Sequence, residues 1–298
     1  MTDWSELDRL PADVLRVRTP RAVFAVQAAL AEGLARAGYS AEADGAVAPS
    51  DLAGRSRLGE IVLGAERLVV RRFTHGGLLR WLTGRRYLDP LRPFRELALS
   101  RRLAACGVPV PEVVAARARR LPAGAWELEL VSRRIEGAVD LGTLARRAVS
   151  GALEPRLESR AARAFGALVR RLHDLGFLHA DLTPRNFLVD PASLRGERAR
   201  LWVLDLDGSR FLPALGEAQR VANLARLLRH AERMVREGDL ARRGRVLSAF
   251  LRAYEPRRAE RRRLGRAVRE QVSSRRAWHA FGSALESRAG AKRSRPRE

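Results

Sequence analysis

The 298 residues include one cysteine, Cys106, and one lysine, Lys292, and no uncharged run exceeds the ten residues AVFAVQAALA at 22–31. A single cysteine excludes an intrachain disulfide and gives no sign of an oxidising compartment; the expectation for Cys106 is a buried place at a helix end. The longest uncharged run is about half the roughly 20 residues that a membrane-spanning helix needs. The first residues, MTDWSELDRL, are acidic and contain no apolar core of a leader peptide. A cytoplasmic location is therefore expected, with peripheral membrane attachment left open.

The scarcity of lysine means that arginine carries the base: Lys+Arg number 57 against 34 Asp+Glu, a formal net charge of +23. A compositional preference for arginine accounts for its choice over lysine but not for the excess over acid. That excess favours a polyanionic neighbour such as phosphorylated lipid, an anionic membrane face or nucleic acid. With 46% hydrophobic residues the chain can bury a sizeable core.

Phe24, Ala28, Leu30 and Leu34 fall at roughly helical spacing over 21–37 and stop at Gly38, which predicts an amphipathic helix and makes 1–44 a helical N-terminal extension. EIVLG and RLVVRRF, joined through AE, predict a β-hairpin, with AGRSRLG as the turn from an earlier strand. A helix through Phe94, Leu97 and Leu103 closes near Gly107, where VPVP blocks it. EVVAARARR and AWELELVSRRI then form a second hairpin. These make 45–136 a small β-rich lobe ending at Glu136-Gly137.

Helices dominate 137–255. The long one, LESRAARAFGALVRRLHDLG, has Ala161, Phe165, Leu168, Leu172 and Leu175 on one face and Gly176 as its cap. Short strands are expected at NFLV and LWVLDL, and helices at about 217–237 and 239–254. The stretch 256–298 is a basic tail, expected to be partly disordered toward GAKRSRPRE. The fold class expected is α+β, two-lobed and protein-kinase-like, with a small antiparallel β lobe and a larger helical one.

The chemistry concentrates in FLHADLTPRNFLVD (177–190) and LWVLDLDGSR (201–210). Asp181 and Asn186 have the spacing of a kinase catalytic loop, in which the Asp accepts a hydroxyl proton and the Asn coordinates metal. Asp205, at the end of an apolar strand, stands where kinases hold magnesium, and His179 fits the loop's structural histidine. The bland alternative is a surface loop with a capping Asp and an unrelated strand-end Asp; the joint spacing argues against it.

The chain resembles the lipopolysaccharide kinase family that includes the 3-deoxy-D-manno-octulosonic acid (Kdo) kinases and the heptose kinase WaaP, over roughly residues 50 to 235. The likeness lies in the catalytic loop, in the run from VVRRFTHGGLLRWLTGRRY to GVPVPEVVAAR, and in VANLARLLRH. Asp205-Leu206-Asp207 is similar to the Asp-Phe-Asp of Kdo kinases. The resemblance implies ATP and Mg2+ as cofactors, a lipopolysaccharide precursor (Kdo-lipid A) and an anionic membrane surface as partners, and no nucleic acid. It also implies roles. Arg71 contacts the α- and β-phosphates and pairs with Glu96. Asp181 is the catalytic base, Arg185 meets the transferring phosphoryl group or an anionic sugar, and Asn186, Asp205 and Asp207 serve the metal.

Several positions keep two readings. Arg71 can be an ordinary solvated strand charge. Gly54 with Gly59 is only a fragment of a glycine-rich phosphate loop. GGLLRWLTGRRY, with Trp81 and Leu82 among arginines, is either an interfacial membrane patch or a connector packed on the small lobe. Trp278 and Phe281 suggest nucleic-acid stacking less well than a helix with one buried stripe. About ten residues separate Asp207 from the next helix, too few for an activation loop and peptide platform. A sugar hydroxyl is therefore favoured over two rivals, a Bud32-like atypical protein kinase and a catalytically inactive basic adaptor.

Overall fold

The computed structural model describes residues 3–45, 47–52, 58–74, 86–234 and 240–274. The chain forms two compact units, Met1–Ala138 with Trp202–Gly208, and Val139–Leu201 with Ser209–Glu298.

The first unit is built on a seven-stranded antiparallel sheet in the order β1-β2-β6-β7-β5-β4-β3. Its strands are β1 Val14–Arg18, β2 Ala22–Gln27, β3 Ala48–Pro49, β4 Gly59–Leu63, β5 Glu66–Arg72, β6 Val113–Arg120 and β7 Trp126–Arg133. Both faces are covered. Val23, Ala25, Ala116, Ala118, Leu128 and Leu130 pack with Phe94 and Leu97 of α2 (Arg92–Ala105). Phe24, Val26, Leu68, Val70, Ala115 and Val131 pack with Leu30 and Leu34 of α1 (Ala28–Arg36). Both hairpins expected from sequence are present, β4–β5 and β6–β7.

The N-terminal region differs from expectation. Residues 1–44 are not a helical extension, because β1 and β2 are strands of the sheet and the helix begins only at Ala28. The physical reason is that β2 is buried on both faces over five consecutive residues. Alternation vanishes there, and a continuous apolar run reads equally as helix. The loop at 39–44 is tied to the sheet by Arg117, which is 1% exposed, lies 4.3 Å over the Tyr39 ring and donates to the Ser40 and Ala43 carbonyls at 2.8 and 2.7 Å. Its charge is matched by buried Glu129, without which it would be costly to bury.

The second unit is helical: α3 Leu141–Val149, α4 Pro155–Asp174, α5 Glu217–Met234, α6 Leu240–Tyr254 and a further helix, α7, over 258–274. Asp140 caps α3, its carboxylate accepting from Thr143 N at 2.9 Å. Helix α4 buries Ala161, Phe165, Leu168 and Leu172 and ends at Gly176, whose φ of +75° suits glycine. The short strands β8 Val139–Asp140, β9 Phe177–Leu178, β10 Phe187–Val189 and β12 Arg210–Phe211 pair as β10–β8 and β12–β9.

Two further boundaries change. Residues 202–208, after the start of β11 (Leu201–Val203), group with the first unit instead of lying wholly within a 137–255 lobe. The tail assigned to 256–298 is helical as far as 274, with Val268 and Val272 buried at a four-residue spacing. Cys106 is the C-cap residue of α2, half-buried.

Candidate active site

In the first unit a charged cluster gathers around Arg71 of β5. On β5, Leu68 and Val70 point to a core, so Arg71 projects from the opposite face. It ion-pairs through Nη2 with Glu96 of α2 and donates through Nη1 to Asp205 Oδ1 at 2.9 Å, its guanidinium 4.5 Å over the Phe73 ring. The solvated-charge reading of Arg71 is thereby excluded. Burial works against its charge, but Glu96, Asp205 and Asp207 outweigh that and hold its pKa above the ordinary arginine value.

Glu96 is 4% exposed, and burial, with the nearby Asp205 and Asp207 charges, pushes its carboxyl above the usual glutamate value despite Arg71. Its second oxygen accepts the Leu206 backbone N–H at 3.1 Å. Asp205 follows β11 in the left-handed region, φ +54°, an uncommon setting for a residue with a side chain. Asp207 is gripped by both Nε (3.0 Å) and Nη2 of Arg92. Arg72, the next residue on β5, pairs with buried Glu129 at 2.6 Å.

In the second unit a cluster forms around Asp181. His179 is buried, its Nδ1 accepting from Asp181 N at 3.1 Å, which places the ring proton on Nε2. Asn223 of α5 donates to the His179 carbonyl at 2.8 Å, and Ser209 Oγ accepts from Ala180 N at 2.9 Å. The chain is thus pinned immediately before Asp181 by two separate segments. Pro184–Asn186 form a single 3-10 turn that brings Asn186 back, its Nδ2 donating to the Asp181 carbonyl (2.8 Å) and to Oδ2 (3.0 Å). Arg226 of α5 holds the other carboxylate oxygen through Nε at 3.1 Å and the Ala180 carbonyl through Nη1 at 2.8 Å. Arg185 is exposed and makes no hydrogen bond or ion pair among the described residues.

Magnesium takes oxygen ligands and keeps water or phosphate in its shell. Among the described residues no group of three His, Cys, Asp or Glu side chains forms a closed metal cage. Each unit offers oxygen donors of the kind an open site uses: in the second, Asn186 spends its amide N–H groups on Asp181 and keeps Oδ1 free among the described residues, and in the first, Asp205 engages one oxygen there. Asp207 has both oxygens engaged. Gly54, Trp81, Leu82, Trp278 and Phe281 lie outside the described residues.

Sequence reading missed Arg92, Ser209, Asn223 and Arg226. Arg92 stands four positions before Glu96 on one helix face, and Asn223 and Arg226 lie within VANLARLLRH, so the signal existed but named no partner.

A β sheet presenting an Arg–Glu pair, and a His-x-Asp loop with an asparagine turned back onto the aspartate, define a kinase-like phosphotransferase of α+β fold. The profile of the lipopolysaccharide kinase (Kdo/WaaP) family matches residues 54–254, and the chain belongs to that family and, with it, to the carbohydrate kinases. It is 34% identical over 181 residues to a 3-deoxy-D-manno-octulosonic acid kinase of Actinobacillus succinogenes, covering 57% of this chain and 70% of the relative. A protein of that name from Haemophilus influenzae is 33% identical over 171 residues, 56% of this chain and 66% of its own. One from Photobacterium profundum is 34% identical over 166 residues, 54% and 64%. The chain thus spans about two thirds of these relatives' length. A solved structure of WaaP in complex with acyl carrier protein shares the fold, with a TM-score of 0.52 and 20% identity over 77% of this chain and 89% of that one.

Proposed function

We propose that the chain transfers the γ-phosphate of ATP, with magnesium, to a hydroxyl of Kdo in the lipid A/inner-core region of lipopolysaccharide, as a peripheral protein on the cytoplasmic side of the inner membrane. The observation that carries the ATP assignment is Arg71, held between buried Glu96 and Asp205 with its fork directed by both. A planar guanidinium so fixed can offer paired N–H donors to phosphate oxygens. Asp181 is the base: it accepts the proton of the sugar hydroxyl as that oxygen bonds to the γ-phosphorus and the bond to the ADP oxygen breaks. Arg226 and Asn186 hold its carboxylate, one on each oxygen. The oxygens of Asn186 and of Asp205 are the donors proposed for magnesium, which when bound would neutralise the phosphate charge that builds up as ADP departs. In this reading Arg185, exposed and unpaired among the described residues, meets an anionic group of the acceptor.

The choice of Kdo rests on the relatives' names and on the Asp-Leu-Asp sequence. Helix α5 begins at Glu217, soon after Asp207, which leaves little chain for docking a peptide and disfavours the Bud32-like reading. A passive adaptor would have no need of an Asp181 carboxylate held on each oxygen by Asn186 and Arg226. The test is mass spectrometry of lipopolysaccharide core from cells with the gene, without it, and with the Asp181→Ala form. One phosphate on Kdo in the first case only is expected. An unchanged core in all three would refute the proposal.

A further inference from the structure

We infer that Asp207, which the family likeness had suggested for metal, is instead a positioning residue: it bolts helix α2 to the 205–207 turn through Arg92, so that Arg71 and Glu96 are set before nucleotide arrives. The inference rests on the ATP reading above and specifies how that site is preorganised. Arg92 and Glu96 lie four apart on one face of α2. Glu96 accepts the Leu206 N–H at 3.1 Å, and Arg92 closes a two-pronged ion pair on Asp207, Nε to Oδ1 at 3.0 Å and Nη2 to Oδ2. The Arg92 guanidinium also lies 4.9 Å over the ring of buried Tyr87. The turn is therefore held at two successive residues from one helix.

Arg92 is costly where it stands unless Asp207 is its purpose. It occupies the first turn of α2, where the helix dipole disfavours a cation, and the N-cap, Leu91, has no capping side chain. The Asp207 hydrogen bonds lead the causes that raise the Arg92 pKa. Asp205 and Asp207 also differ in what they leave free. Asp205 gives one oxygen to Arg71 and its side chain is 39% exposed, whereas Asp207 gives both oxygens to Arg92 and is 20% exposed. In regulated kinases the ion pair on this helix is made and broken by helix movement and by an activation loop. Here the helix is anchored from the turn itself, which describes an enzyme assembled without a switch.

The test is a double-mutant cycle in the full chain: Arg92→Ala, Asp207→Ala, both together, and the exchange Arg92→Asp with Asp207→Arg. Two readouts are taken, hydrogen exchange of the α2 amides without nucleotide, and ATP affinity as a function of magnesium. Each single variant is expected to speed α2 exchange and to weaken ATP binding about tenfold, mid-range for residues of one network. The double variant is expected to be no worse than either single, the exchange to restore protection and affinity in part, and the magnesium requirement to stay unchanged. Additive single effects, unchanged α2 exchange, or a raised magnesium requirement in the Asp207 variant but not the Arg92 variant would overturn the inference. If an alanine variant does not fold, Asp207→Asn and Arg92→Lys serve the same comparison. Failure of the unsubstituted protein to bind ATP would refute the ATP reading, while the exchange arm still decides the clamp.

Discussion

Asp181 has its two carboxylate oxygens held by groups from different elements, Asn186 from the same loop and Arg226 from α5. Removing the carboxylate should affect the hydroxyl and not the nucleotide. Asp181→Ala is expected to lower kcat by roughly 10²- to 10⁴-fold, the usual worth of a positioned base, with ATP affinity by calorimetry nearly unchanged. A comparable loss of ATP affinity would remove Asp181 from the role of base. Arg71→Ala should chiefly raise the KM for ATP. Arg71→Lys should recover part of that, since an ammonium keeps the charge but cannot span Glu96 and Asp205 with a rigid fork; equal, negligible effects would return Arg71 to a structural charge. Asp181, Asn186 and Asp205 were legible in sequence because their signature is local, a spacing within a loop or at a strand end. Arg92 and Arg226 were not, because their partners lie 115 and 45 positions away and an arginine in an arginine-rich chain carries no mark of its partner.

Helix α4 was legible from its one buried face, and the β4–β5 and β6–β7 hairpins from the turn residues that bound their apolar runs. β2, buried as continuously as β6, runs straight into α1 with no turn residue between them, so nothing in its sequence marked it as a strand. A close approach within the second unit gives a test of packing. A Cβ on Gly166 of α4 would fall 2.3 Å from the Phe250 carbonyl of α6. Gly166→Ala should therefore destabilise by about 1–3 kcal/mol by overpacking, against the roughly 1 kcal/mol gain that alanine brings to a free helix. A stabilised variant in chemical denaturation would show that the two helices do not meet there.

The same region contains a titrating group. His173 lies between the Tyr254 hydroxyl at 2.7 Å and Asn223 Oδ1 at 3.1 Å, and burial pushes its pKa down to about 4. It is neutral in the fold, while the unfolded chain takes up a proton below about 6.5. Its contribution is thus complete above pH 6.5, falls as pH drops toward 4 and is constant below. The loss is up to about 3 kcal/mol. Relative to His173→Gln, the unsubstituted protein should lose stability across that window in pH-resolved denaturation; parallel curves would contradict a buried neutral imidazole.

For the molecule as a whole, the +23 charge and the absence, among the described residues, of any helix long and apolar enough to cross a membrane bear on how a lipid acceptor is reached. Arginines near an anionic surface contribute roughly 1 kcal/mol each over a screening length of about 8–10 Å. Sedimentation with lipid A-containing vesicles at low salt, release as salt rises and weak binding to neutral vesicles are expected. Tighter binding to tRNA than to these vesicles at matched salt would contradict that. The central claim is phosphate transfer to Kdo, and its most direct test is a reconstituted reaction of the purified chain with γ-labelled ATP, magnesium and Kdo-lipid A, the product read by mass spectrometry. The account predicts one labelled phosphate on Kdo, dependent on magnesium and absent with Asp181→Ala. Label on heptose alone, on protein, or on no acceptor would contradict it.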